Sequence, residues 1–186
     1  FGILYGIGPM GLAAQLGLPV VHVRDSRTGR MRESCPEGEA LIEAYFNTYP
    51  GLKEAIERKQ RECRMRGYVT TITGRKRRLP EINSENGALA GRARRQAFNT
   101  IIQGTASDII ESVMVACEED VILRQLGVRQ LLQVHDELIF ECPKIPEVVK
   151  AAKERIRFRM TNPFADPLDV PLTISMHDAN SWGEAK

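Results

Sequence analysis

Leu131-Leu-Gln-Val-His135-Asp136-Glu137-Leu-Ile-Phe-Glu-Cys142 joins two apolar, partly β-branched runs through a short polar triplet. Runs of this kind suit strands, and a hairpin gathers its polar residues at the bend. The sequence therefore predicts an antiparallel pair whose turn carries His135, Asp136 and Glu137 above an apolar base. Ionised carboxylates only accept hydrogen bonds, and oxygen ligands are what Mg²⁺ takes. Turn chemistry alone also accounts for Asp at such a bend, so a metal role needs support from the rest of the chain.

Composition narrows the possibilities. Among 186 residues, a 42% apolar share is ordinary for a globular protein and argues against disorder. No run approaches the roughly 20 apolar residues of a membrane helix and no signal peptide is visible, so no membrane partner is expected. Cys35, Cys63, Cys117 and Cys142 are widely spaced with no CxxC pair. Reduced intracellular thiols fit that spacing better than disulfides or zinc. Because the chain opens on Phe1, it reads as one piece of a longer, split or processed protein.

The net charge of +2 conceals segregation. Residues 53–95 carry 13 Lys/Arg against 5 Asp/Glu, whereas residues 101–186 carry 9 against 14. A polyanion track beside a cation site would have this pattern, and so would a solvated amphipathic helix.

Working outward, Phe1 and Tyr5 are four apart and share the face of a helix end, which Gly6 and Gly8 can stop. Pro9 to Gly17 suggests a short helix. Residues 20–33 read as a small basic hairpin turning near Thr28-Gly29. Glu37–Tyr49 and Leu52–Arg66 have helical spacing, the second rich in Arg and Lys. Tyr68–Thr73 is β-prone and leads into Gly74-Arg75-Lys-Arg77-Arg-Leu-Pro80, a compact cationic loop whose guanidinium forks suit phosphate. A long helix is predicted from about Leu89 to Leu123. On it Arg92, Arg95, Asn99 and Gln103 recur at spacings of three and four, a ladder of long polar donors suited to base edges or sugars. An ordinary polar helix face explains that ladder equally well. Pro146–Met160 is a further helix, and Val170–Met176 a last strand expected to join the hairpin's sheet.

Five blocks then stand in an informative order: Phe1-Gly-Ile-Leu-Tyr5-Gly6, Thr73-Gly-Arg-Lys-Arg-Arg-Leu-Pro80, Arg95-Gln-Ala-Phe-Asn-Thr-Ile-Ile-Gln-Gly-Thr-Ala106 with Asp108, Gln133-Val-His-Asp-Glu-Leu138, and Trp182. In that order the chain resembles the C-terminal part of family A (DNA polymerase I-like) DNA polymerases. Only the region near residues 20–35 looks like an insertion. Local departures are Arg94, where the family has an acidic residue, and Ile101, where it has proline.

The resemblance implies an α+β, mostly helical, partial right-hand fold with a small antiparallel palm sheet bearing the motif C hairpin. Residues 1–66 would belong to the fingers and 67–186 to the palm. His135, Asp136 and Glu137 would be motif C, with Asp136 and Glu137 at two Mg²⁺ ions whose second aspartate ligand lies outside this chain. His135 would stand near the primer terminus. Phe1 would lie against the incoming nucleotide and Tyr5 near the templating position. Arg95, Asn99 and Gln103 would line the primer–template minor groove, and Arg75 and Arg77 the duplex backbone.

The expected partners are primer–template DNA, deoxynucleoside triphosphates and the upstream half of the polymerase (thumb, first aspartate motif and rest of the fingers helix). The location would be intracellular: cytoplasm, nucleoid, or a host cell during viral replication. The implied function is template-directed DNA synthesis, with these 186 residues inactive alone. A non-catalytic DNA-binding or assembly subunit that keeps the palm scaffold is the alternative.

Overall fold

A computed structural model describes residues 2–26 and 29–185. The chain forms two compact units, 1–102 and 103–186, which divide inside one helix. The expected fingers–palm boundary at 66/67 falls within the first unit and concerns subdomain names.

The first unit opens on a turn at residues 2–6. The Gly6 N–H donates to Ile3 O and the Ile7 N–H to Gly2 O, while Gly6 has φ 82°. This paired closure around a left-handed glycine is how helices commonly terminate, so the expected helix end is present in its hydrogen bonds. Helix α1 (Pro9–Leu16) buries Leu12 and Ala13. Strands β1 (Val21–Arg24) and β2 (Met31–Ser34) pair antiparallel, with Val21 opposite Ser34. The expected turn residue Thr28 lies outside the described residues.

Helix α2 (Pro36–Thr48) starts at a Cys35 cap whose Sγ accepts from the Gly38 N–H at 3.3 Å. Glu37 and Glu39 in its first turn favour the positive end of the helix dipole. A Cβ on Gly38 would meet Pro9 O at 2.8 Å, so close approach to the start of α1 requires glycine there. Helix α3 (Pro50–Arg66) has Pro50 in its first turn and Arg64 and Arg66 in its last. Proline tolerates the first position and cations favour the last turn.

Strands β3 (Tyr68–Thr70) and β4 (Lys76–Arg78) form a second hairpin, with Val69 opposite Arg77. The stretch 74–80, expected as a loop, is thus partly strand: ladder pairing satisfies the backbone while all three β4 side chains stay exposed. Helix α4 (Gly87–Glu118) lays Ala93 and Ala97, one turn apart, on Cys63, Val69, Leu79 and Ile82, with Ile101 packed beside them. Small side chains at that spacing let the helix approach closely.

In the second unit, Val113 and Cys117 of α4 meet Leu123, Val128, Ala152 and Ile156. The single helix expected to Leu123 instead stops at Glu118. Asp120 then caps α5 (Val121–Gln125), its Oδ1 accepting from the Ile122 and Leu123 N–H groups at 3.0 and 3.2 Å. An Asp side chain competes for backbone donors and favours a new helix start over continuation. Strands β5 (Arg129–Val134) and β6 (Glu137–Glu141) follow, their register shifting between Gln130 and Leu132. Leu138 and Phe140, alternate residues of β6, pack on this core.

Helix α6 (Pro146–Thr161) closes the unit and buries Ala152 and Ile156. The strand expected at Val170–Met176 does not form: residues 171–179 have no regular structure, and the β5–β6 sheet has two strands. Pro171 brings no N–H to a ladder, and Met176 reaches the core without pairing. The described chain is thus mostly helical with small antiparallel sheets. No helix among the described residues is long and apolar enough to cross a membrane.

Candidate active site

Val134 pairs with Glu137, which leaves His135 and Asp136 as a two-residue loop. Strand twist favours positive φ in such loops, usually on Gly, Asn or Asp. Here His135 takes φ 55°, the one described non-glycine residue in that region. A sparsely populated backbone conformation stores roughly 1–3 kcal/mol and persists where its surroundings over-determine it. The side-chain amide of Gln133 donates to the His135 carbonyl at 2.9 Å.

His135, Asp136 and Glu137 are all exposed, and among the described residues neither carboxylate is in an ion pair. Below them Leu138 and Phe140 anchor the hairpin, and Arg129 pairs with Glu141 at 2.5 Å at its far end. Hard anionic oxygens on an open turn suit Mg²⁺ in kind. No group of three or more His, Cys, Asp or Glu side chains that could hold a metal ion occurs among the described residues. The tip therefore offers part of a donor set.

Several other expected site residues meet within the first unit. A Cβ on Gly6 would come within 2.8 Å of Arg95 Cγ, so the turn carrying Tyr5 rests against the aliphatic stem of Arg95. Arg77 donates to Thr100 Oγ1 at 3.0 Å, which ties β4 to α4 next to Asn99. The Oδ1 of Asn99 is buried without a hydrogen-bond partner among the described residues. Arg75 and Arg95 are exposed. Gln103, on α4 within the second unit, is exposed as well. Phe1 lies outside the described residues.

The sequence model of DNA polymerase family A matches residues 1–184. The chain belongs to that family. It is 38% identical over its whole length to DNA polymerase I of Bacillus subtilis, covering 19% of that protein. Against the thermostable DNA polymerase I of Thermus filiformis it is also 38% identical over its whole length, covering 20%. Among solved structures, the POL domain of Pol1 from M. smegmatis, in complex with DNA primer-template and dNTP, matches 99% of this chain at TM-score 0.84 and 34% identity. Of that chain, 29% is covered. The chain thus spans about one fifth the length of the curated relatives it matches and is part of a family A polymerase domain.

Two departures from the family pattern have visible consequences. Ile101 keeps its N–H, and α4 runs through it unbroken while its side chain packs on the first core. Arg94 has a buried Nε with no hydrogen-bond partner among the described residues, while its backbone carbonyl accepts from Gln60. Gln133 was missed by sequence reasoning as a site residue. The available signal was an amide donor two residues before the turn.

Proposed function

We propose that this chain supplies the acidic hairpin and part of the DNA-holding surface of a template-directed DNA polymerase, which adds deoxynucleotides to a primer 3′ end by two-metal phosphoryl transfer. The observation that carries the reading is the exposed Asp136–Glu137 pair, held on a strained two-residue turn in a family A chain. Asp136, with Glu137 beside it, offers carboxylate oxygens, and a second aspartate comes from outside this chain. When bound, two Mg²⁺ ions activate the primer hydroxyl and steady the leaving pyrophosphate.

His135 stands near the primer terminus. Tyr5 lies near the templating base and Phe1 against the incoming nucleotide. Arg95, Asn99 and Gln103 offer donors to minor-groove acceptors, which differ little among correct pairs, so they check pair geometry without reading sequence. Arg75 and Arg77 hold backbone phosphates. Residues 1–66 serve as fingers and 67–186 as palm. That the M. smegmatis relative was solved with primer-template and dNTP supports both partners.

Mg²⁺ demands near-octahedral coordination, of which two adjacent carboxylates fill a small part. The 186 residues alone are therefore expected not to extend a primer, and to do so when joined to the thumb, the first aspartate motif and the rest of the fingers helix. In that assembly Asp136→Asn should slow extension about 10³-fold, equivalent to the several kcal/mol a metal contributes. Equal extension by both proteins would overturn the assignment. Duplex binding without any extension by the unsubstituted assembly would instead favour a non-catalytic DNA-binding subunit.

A further inference from the structure

We infer that Gln133 is a positioning residue for the acidic tip: its side-chain amide holds the His135 carbonyl and so fixes the orientation in which Asp136 presents its carboxylate to a divalent cation. The inference rests on the function proposed above and adds a residue to it.

The carbonyl that Gln133 grips, at 2.9 Å, belongs to the peptide unit joining His135 to Asp136. That unit follows the one described non-glycine residue with positive φ, 55° at His135. Relaxing His135 to an ordinary negative φ would swing the peptide plane and carry the Asp136 backbone with it. Opposing that relaxation are the Val134–Glu137 pairing below the loop and the Gln133 amide. No other side-chain hydrogen bond reaches residues 135–137 among the described residues.

A net hydrogen bond and the strain of one left-handed residue are similar in size. Removing the brace therefore shifts the tip severalfold towards relaxed conformers. Glycine at position 135 would adopt this backbone without a brace, whereas a histidine there needs one. Gln133 itself is exposed on β5 and pairs with Leu138, so its side chain is dispensable for the core. Groups that orient a metal's ligands without touching the ion typically cost 10- to 100-fold in affinity when removed.

The test uses the polymerase domain that contains this chain, bound to a primer–template duplex. Mn²⁺ binding is measured by electron paramagnetic resonance, alongside duplex affinity, unfolding midpoint and the Mg²⁺ concentration for half-maximal extension. Gln133→Leu, which keeps an apolar stem on the strand but loses the donor, should weaken Mn²⁺ binding roughly tenfold and raise the Mg²⁺ requirement in parallel. Duplex affinity and unfolding midpoint should not change. Gln133→Asn keeps an amide but is one methylene short of the carbonyl, so it should behave alike, and it decides the matter if the Leu variant folds poorly.

Unchanged Mn²⁺ affinity in the folded variants would overturn the brace. A loss of duplex affinity as large as the loss of metal affinity would overturn it too, by making Gln133 a DNA contact. Asp136→Asn separates the two levels of the argument. If Asp136→Asn binds Mn²⁺ normally, the acidic-tip reading fails and takes this inference with it. If Asp136→Asn loses the ion while both Gln133 variants keep it, only the role of Gln133 fails.

Discussion

Arg159 Nη2 stands 2.6 Å from Asp120 Oδ2, and the Asp120 side chain is wholly buried. Arg155 Nε reaches the same oxygen at 2.7 Å, while Oδ1 caps α5. One carboxylate thus ties α6 to the junction of α4 and α5. Burial by itself pushes the Asp120 carboxyl up, but hydrogen bonds from Arg159, Arg155 and the Leu123 amide outweigh it and hold the folded group below its ordinary 3.8. A lowered folded value adds stability above the unfolded value and loses it as pH falls through the folded one.

Asp120→Asn should therefore cost about 3 kcal/mol at neutral pH, near the low end for breaking a buried pair because both guanidinium groups keep some access to water. Below pH of about 4 the gap to the unsubstituted chain should narrow as Asp120 itself takes up a proton. Urea unfolding across that range measures both, and a gap that stays constant with pH would overturn the account.

Gly6 meets two demands at once: φ 82° and a virtual Cβ 2.8 Å from Arg95 Cγ. Gly6→Ala is expected to destabilise the first unit by about 1 kcal/mol for the left-handed backbone. It should also push the Arg95 side chain aside, weakening duplex binding in the assembled polymerase. Gly17→Ala, at φ 67° with no atom within 4 Å of its virtual Cβ, is the control. Equal effects of the two substitutions would remove the Gly6–Arg95 contact from the explanation.

Helix periodicity and the polar break in an apolar run are local signals, so α2, α3, α6 and the β5–β6 turn were legible in the sequence, while the proline starts of α2 and α3 at Pro36 and Pro50 were not. The family blocks were legible for the same reason, since motif residues cluster along the chain. What escaped was set by competition between partners. Whether Asp120 continued a helix or capped a new one depended on Arg155 and Arg159, 35 and 39 residues away. Val170–Met176 has strand-like composition, but pairing requires a neighbour with free backbone groups in register, and composition does not contain that. The strain at His135 was equally hidden, because φ at a two-residue loop follows from the strand register on both sides.

Burial decides thiol reactivity here. Cys117 is buried, and desolvation pushes its thiol up to about 11; burial also raises Cys63. Cys35 is buried and holds the Gly38 N–H, whereas Cys142 is only partly covered. Since the thiolate is the reactive form, a chromogenic disulfide reagent at mildly alkaline pH should titrate Cys142 in the folded chain and the other three only after unfolding. Rapid modification of Cys117 under native conditions would contradict the packing of the second core.

Arg77 combines a fixed geometry with a free charge: one guanidinium nitrogen donates to Thr100 Oγ1 at 3.0 Å while the residue stays exposed. If Arg77 meets a backbone phosphate, Arg77→Ala should lower duplex affinity in the assembled polymerase equally for all sequences. It should also reduce the dependence of log affinity on log salt by about one ion. Thr100→Val removes the tether and keeps the charge. That variant should leave the salt slope intact and lower affinity only slightly, through lost orientation of the guanidinium. Fluorescence anisotropy over a salt series distinguishes the two. An unchanged slope in Arg77→Ala would show that Arg77 meets no phosphate and serves the fold through its bond to Thr100.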